Sequence, residues 1–124
     1  MLPARQIVIE KNYQDQHLCF DFHHPSAYLD LREIILTRKE HALLSLLIEN
    51  VGEIVPRGVL LERIWGYGKD IRTRTLDVHI RRLRKKLYPH GDTYIETIFG
   101  VGYRFQRFRE PRSFANSLPA LVAV

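Results

Sequence analysis

Residues Arg72 to Leu87 read RTRTLDVHIRRLRKKL. At about 100° per residue this stretch makes a helix with two unlike sides. Leu76, Ile80, Leu83 and Leu87 fall on one narrow stripe, and Arg74, Val78, Arg81 and Lys85 fall opposite it with Arg82 beside them. Asp77 and Arg84 occupy one flank, His79 and Lys86 the other. Seven of the residues are Arg or Lys and one is acidic, a net +6 in a chain whose formal charge is +5, so the positive charge is concentrated here. An apolar back and a cationic front suit the major groove of duplex DNA, which admits a helix between anionic phosphate rims. A merely solvated, charge-rich helix face would look the same, and the surrounding sequence has to separate the two.

The 124 residues suffice for one domain with a modest core, and a 45% hydrophobic content suits a folded chain. The +5 charge points only weakly to an anionic partner. Cys19 is the single cysteine, which excludes an intrachain disulfide and fits a reducing, cytoplasmic setting. No apolar run is long enough to span a bilayer, so no membrane association is expected. The start, MLPARQIVIEK, lacks a signal-peptide core and cleavage site. There is no internal repeat and no low-complexity block.

Residues from Gln6 to about Thr37 read as strands. Ile7-Val8-Ile9 opens a β-rich run, and Gln14-Asp15-Gln16 is a polar break. Leu18, Phe20 and Phe22 alternate with Cys19, Asp21 and His23, the period of a half-buried strand. His24-Pro25-Ser26 is a turn, and Tyr28-Leu29, a turn near Asp30 to Glu33 and Ile34-Ile35-Leu36 complete a four-stranded antiparallel sheet. Thr37 and Glu40 form a capping box, opening a helix whose Leu43, Leu44, Leu46, Leu47 and Ile48 make it the most buried element. Asn50-Val51-Gly52 ends it, and Glu53-Ile54-Val55 is a short extended link. A second helix is expected from Pro56 in the first helical position, with Leu60, Leu61, Ile64 and Trp65 as its apolar stripe. Gly66-Tyr67-Gly68-Lys69-Asp70 connects it to the basic helix, which Pro89 and His90-Gly91 stop. Thr93 to Phe99 and Tyr103 to Phe108 are β-prone around Gly100-Val101-Gly102 and read as a hairpin. The class is therefore α+β: an N-terminal four-stranded antiparallel sheet, three helices, and a C-terminal β-hairpin wing beside a helix-turn-helix.

Several chemistries lack their residues. His17, His23 and His24 are not accompanied by ligands at a metal-like spacing and read as exposed polar strand positions, so no metal is expected. Gly100 and Gly102 have the wrong spacing for a phosphate-binding glycine loop, and no helix follows them. No nucleophile–base pair and no cofactor motif is present, so neither an enzyme nor a cofactor is expected.

The run of motifs resembles one known family, the winged-helix effector domain of OmpR/PhoB-type response regulators. The matching residues are Leu36-Thr37 with Glu40 and Leu43-Leu44, then Gly52, Val55, Arg57, Leu60-Leu61 and Trp65-Gly66. They continue through Arg74-Thr75-Leu76-Asp77-Val78-His79-Ile80, Leu83-Arg84-Lys85-Lys86-Leu87, and Thr97 with Gly100-Val101-Gly102-Tyr103-Arg104-Phe105. The likeness runs from about Leu18 to Phe105, in order. It implies sequence-specific binding of double-stranded DNA by a transcriptional regulator. The helix at about 73–87 enters the major groove and the wing approaches the adjacent minor groove. It also implies that the loop Gly66, Tyr67, Gly68, Lys69, Asp70, running on to Arg72, touches RNA polymerase, and that protomers bind direct repeats as head-to-tail dimers. Residues 1–108 form the domain, with the sheet at about 6–37 and the helical core and wing at about 38–108. Residues 109–124 are a tail for which disorder, an added strand and a dimer contact are open, disorder being preferred.

Three departures from the family stand out. No receiver domain with its phospho-acceptor Asp is present, as in a piece of a longer protein or a natural protein without phosphorylation control. Pro56 and Val59 replace the residues of a second capping box, and Gly58 weakens the same helix. Phe99 stands where the family usually presents Arg before the first wing glycine. A neutral ring gains nothing from an electronegative minor groove, so Phe99 is expected to pack on its own domain or a neighbouring protomer, with Arg104 or Arg107 partly supplying the charge.

Outward placement makes Arg74, Arg81 and Arg82 the candidate base readers, because the Arg fork fits guanine O6 and N7. Val78 among them is placed for a thymine methyl. Arg57, Thr75, His79, Arg84 and Lys85 are expected phosphate contacts. Thr97 and Tyr103 at the wing base resemble backbone-contacting positions. Trp65 is expected mostly in the core, with its indole N–H in reach of a phosphate. Asp77 is expected to pair with Arg81 one turn on. The alternative reading is a winged-helix interaction module that docks RNA polymerase or another regulator without specific DNA binding. The arginine face argues against that alternative, while Phe99 and Pro56 argue for it.

Overall fold

The computed structural model describes residues 12–66 and 73–109. It opens on an antiparallel meander of β1 (Asn12–Gln14), β2 (Leu18–Asp21), β3 (Ser26–Leu29) and β4 (Arg32–Ile35). Alternation turns Leu18 and Phe20 inward to full burial and Cys19 outward. Pairing of Tyr13 with Phe20, Leu18 with Leu29 and Ala27 with Ile34 gathers the apolar positions on one face. The expected opening strand at Ile7–Ile9 lies outside the described residues. The first described strand includes Gln14, which the sequence assigns to a break. The break begins one residue later because Asp15 builds it. One Asp15 carboxylate oxygen accepts the N–H groups of His17 and Leu18, each at 2.9 Å, and closes the β1–β2 turn.

The β3–β4 hairpin has a two-residue turn, Asp30-Leu31, with φ of 51° and 69°. Such turns favour Asn or Asp followed by Gly, since both positions need positive φ. Asp30 suits the first position. Leu31 does not suit the second, and its side chain is 97% exposed, so no burial offsets the strain. Leu31→Gly is therefore expected to stabilise the fold by about 1 kcal/mol. Equilibrium denaturation of the two proteins checks it, and an unchanged or lower midpoint would show that the turn is not strained.

Helix α1 (Arg38–Glu49) has the expected capping box. Thr37 Oγ1 accepts from the Glu40 amide at 3.2 Å, and Glu40 Oε1 accepts from the Thr37 amide at 2.9 Å. Six of its residues are buried, and it is the central element of the core. Ile54 and Val55, expected in the link Glu53-Ile54-Val55, form a strand with Pro56, β5 (Ile54–Pro56). Its pairing with the C-terminal hairpin holds Pro56 extended at φ −63° and ψ 150°, so Pro56 caps α2 (Arg57–Trp65) from outside instead of beginning it. The Arg57 amide donates to the Val101 carbonyl at 2.9 Å, so the wing supplies the acceptor that the missing capping box would have given.

Helix α3 (Thr73–Lys86) follows, its end stopped near Pro89 as expected. A one-turn helix, α4 (Gly91–Tyr94), takes Gly91, expected as part of the helix stop, and Thr93-Tyr94, expected as the start of the β-prone run. The wing strands are β6 (Ile95–Ile98) and β7 (Gly102–Phe105), shorter than the β-prone runs, and β7 lies between β5 and β6 in a three-stranded sheet. Tyr94 and Phe105 stack 5.5 Å apart at the base of this sheet, both fully buried. Tyr94 also donates to Asp15 at 2.7 Å, and the Phe108 amide donates to Asp15 at 3.2 Å, so one carboxylate ties the two sheets together. The connection Tyr67–Asp70, Arg72 and nearly all of the 109–124 tail lie outside the described residues. Among the described residues no helix is long and apolar enough to cross a membrane.

Candidate nucleic-acid interface

The two sides of α3 are as the sequence divides them. Leu76, Ile80, Leu83 and Leu87 are at most 1% exposed. Burying each such side chain contributes on the order of 2 kcal/mol, so the stripe holds the helix firmly on α1 and α2. Arg74, Arg81, Arg82 and Lys85 are exposed on the opposite side, with Val78 half-buried among them. None of these four cations makes an ion pair or side-chain hydrogen bond with another described residue.

The flank facing the wing is occupied. Both carboxylate oxygens of Asp77 accept from Arg57 Nη2 at 2.9 Å, and one also accepts from the Tyr103 hydroxyl at 2.6 Å. Asp77 therefore joins α2, α3 and β7, and the expected pairing with Arg81 is replaced by this one. Arg81 is exposed on the outer face, whereas a single Arg57 nitrogen, Nη2, reaches both carboxylate oxygens from the start of α2. Burial raises the Tyr103 hydroxyl's pKa and the Asp77 carboxylate raises it further. Burial alone would lower Arg57, but the Asp77 carboxylate outweighs it and the guanidinium is held firmly charged.

Arg84 is turned to the wing base. Its guanidinium donates to the Ile95 carbonyl at 3.1 and 2.6 Å and to Thr97 Oγ1 at 2.7 Å, with Asp92 3.5 Å away. Arg104 is paired with Glu96 at 2.9 Å across the two wing strands. On the other flank, His79 Nδ1 is 2.9 Å from the Thr75 carbonyl and its ring meets Trp65 edge to face at 5.0 Å. Trp65 is half-buried, and Lys39 lies over it at 5.5 Å while donating to the Ile64 carbonyl. Lys86 points to the sheet side, donating to Glu40 at 2.6 Å and to the Ile35 carbonyl at 3.0 Å.

Phe99 is 90% exposed in the wing turn, next to Gly100 at φ 79°. It does not pack on its own domain, contrary to the first alternative drawn from the sequence. The turn lifts it clear of the sheet, and only Gly accommodates the neighbouring positive φ readily. Of the expected loop, Gly66 alone is described; it caps α2 at φ 99°. Residues fixed by long-range partners were the ones the sequence did not disclose. Arg57 meets Asp77 across 20 positions and Arg84 meets Thr97 across 13, and only their placement on the wing-facing flank hinted at it. His17, read as a plain exposed strand position, comes together with Asp30 and His90.

Comparison with known proteins places this architecture. The family described as "Transcriptional regulatory protein, C terminal" matches residues 31–105, more than half of the chain. The response regulator ArlR of Staphylococcus aureus is 47% identical over 72 residues, which cover 57% of this chain and 33% of that protein. The chain thus matches only about a third of the length of such relatives. The response regulator DrrB of Thermotoga maritima, an OmpR/PhoB homologue, superposes with a TM-score of 0.72 at 33% identity, over 84% of this chain and 49% of DrrB. The DNA-binding domain of Klebsiella pneumoniae RstA, solved in complex with the RstA box, gives a TM-score of 0.68 at 30% identity, over 77% of this chain and 97% of that domain.

Proposed function

The chain belongs to the OmpR/PhoB-type family of transcriptional regulatory protein C-terminal domains, and we propose that it binds double-stranded DNA sequence-specifically through α3 in the major groove. The observation that carries this reading is the row of uncommitted cations Arg74, Arg81, Arg82 and Lys85 on a helix whose back is fully buried. A cation already held by an internal carboxylate releases little on meeting a phosphate. Arg57, Lys86 and Arg104 are so held, and the outer four are not. In this reading Arg74, Arg81 and Arg82 meet base edges, Val78 meets a thymine methyl, and Lys85 meets a phosphate. Thr75, His79 and Trp65 line the rim toward one strand. Arg57, Arg84, Thr97 and Tyr103 act chiefly by fixing α3 against the wing and Arg104 by tying the two wing strands together, with phosphate contact as their second role. The RstA domain, solved in complex with the RstA box, supports DNA as the ligand. The resemblance also supports head-to-tail pairing of protomers on direct repeats and contact of the Gly66–Asp70 loop with RNA polymerase.

The test is titration of fluorescent duplexes, random and selected from genomic fragments, across a salt series. Affinity is expected to fall with salt, log affinity against log salt having a slope of about −0.9 for each phosphate neutralised. Affinity that does not change with salt would remove DNA from the account and favour the protein-docking alternative.

A further inference from the structure

His17 in the β1–β2 turn, Asp30 in the β3–β4 turn and His90 before α4 present ligand atoms that all lie within 4.8 Å of one another. We infer that these three residues form a binding site for a divalent transition-metal ion such as zinc. His17 Nδ1 is 2.5 Å from Asp30 Oδ1, and His90 Nε2 is 3.6 Å from Asp30 Oδ2. A tetrahedral ion with bonds of about 2.0–2.1 Å needs ligand atoms roughly 3.3 Å apart, and the two imidazole–carboxylate separations fall on either side of that spacing.

The two imidazoles are fixed and the carboxylate is adjustable. The rings lie 4.3 Å apart, tilted by 33°, and Phe108 meets both edge to face at 4.3 and 5.0 Å. The His17 amide is held by Asp15, whose carboxylate is already filled by backbone and tyrosine donors and is not itself a ligand. The His90 amide donates to the Leu87 carbonyl at 2.8 Å, and the Asp30 amide donates to the His17 carbonyl at 2.8 Å, which locks the two turns together. The Asp30 side chain is 49% exposed, against 21% and 18% for His17 and His90, so it can swing to admit an ion while solvent completes the coordination. Two imidazoles with one carboxylate select zinc, cobalt or nickel over calcium or magnesium, which take oxygen ligands. A bound ion would join the β1–β2 and β3–β4 turns to the segment just after α3. It therefore stabilises the folded chain in proportion to its occupancy.

The experiment titrates cobalt(II), then zinc, into the full untagged chain, reading the visible cobalt bands and competition with a chromophoric chelator. One equivalent is expected to bind, zinc to displace cobalt, and zinc to raise the unfolding temperature. His90→Ala and Asp30→Asn are each expected to weaken binding by at least about tenfold, since even groups behind metal ligands are worth that much. Asn tolerates the positive φ at position 30, so Asp30→Asn keeps the turn and the test readable if His90→Ala unfolds. Cys19→Ser and the His23→Ala/His24→Ala pair are expected to bind as the parent does. Failure of the parent chain to bind either metal saturably, or binding that survives Asp30→Asn, overturns the inference.

Discussion

Glu40→Ala is expected to destabilise the chain by about 2–3 kcal/mol, since it removes a helix cap and the buried half of an ion pair whose other member, Lys86, still reaches solvent. Glu40 is 2% exposed and has three tasks. It closes the capping box of α1, it receives Lys86 at 2.6 Å from the end of α3, and it lies within the core between them. The substitution leaves the Thr37 amide without its acceptor and the Lys86 ammonium without its counter-charge. Acid should act on the same point. Burial tends to raise the Glu40 pKa, but the Lys86 ammonium and the Thr37 amide outweigh it, so the carboxyl titrates below its ordinary 4.5 in the folded chain. A depressed folded pKa gives stability that is fully present above about pH 4.5 and lost as pH falls through the lower folded value. Denaturant midpoints measured from pH 7 to pH 3 check both points. The parent should lose stability over the acid part of that range and Glu40→Gln should lose less. Equal acid losses would move the effect to other carboxylates, such as Asp15.

Gly102→Ala is the second large effect, expected to cost about 3 kcal/mol or more, the upper end of overpacking. A Cβ at position 102 would stand 2.0 Å from the Val55 carbonyl oxygen and 2.9 Å from Pro56 Cα. Both are backbone atoms of the strand paired with β7, so no side chain can yield. The strands must separate, and the Arg57 amide then loses the Val101 carbonyl that begins α2. Hydrogen exchange of the β5 and β7 amides together with thermal unfolding would register this. Gly100→Ala sits where an added Cβ meets nothing within 4 Å, though at φ 79° it is strained. It should cost less, and a reversal of that order would contradict the close-approach argument.

Periodicity and caps were enough for α1 and α3. The stripe Leu76, Ile80, Leu83 and Leu87 and the Thr37–Glu40 box are local signals, readable within a few residues, and both stand in the structure. What was not legible depends on partners far along the chain. Residues 54–56 carry too short a pattern to announce a strand, and only pairing with Gly102–Arg104 makes them one. Asp77 had a cation at helical spacing, so a local partner was the natural reading. The partner that engages both carboxylate oxygens, Arg57, arrives from another helix. Asp15, in a stretch read as a polar break, joins the two sheets because Tyr94 and Phe108 come to it through the fold. The outer cations were legible for the opposite reason, since an exposed helix face is defined by its own sequence alone.

The central claim is that the exposed face of α3 reads bases and does not merely attract phosphate. Its most direct measurement compares the parent with Arg81→Ala and Arg82→Ala on a selected site and on random duplex at one salt concentration. The account predicts a loss of about 1–3 kcal/mol on the selected site for a base-reading arginine, with a clearly smaller loss on random DNA. Equal losses on both duplexes from both variants would contradict it and leave α3 as a charged surface without sequence recognition.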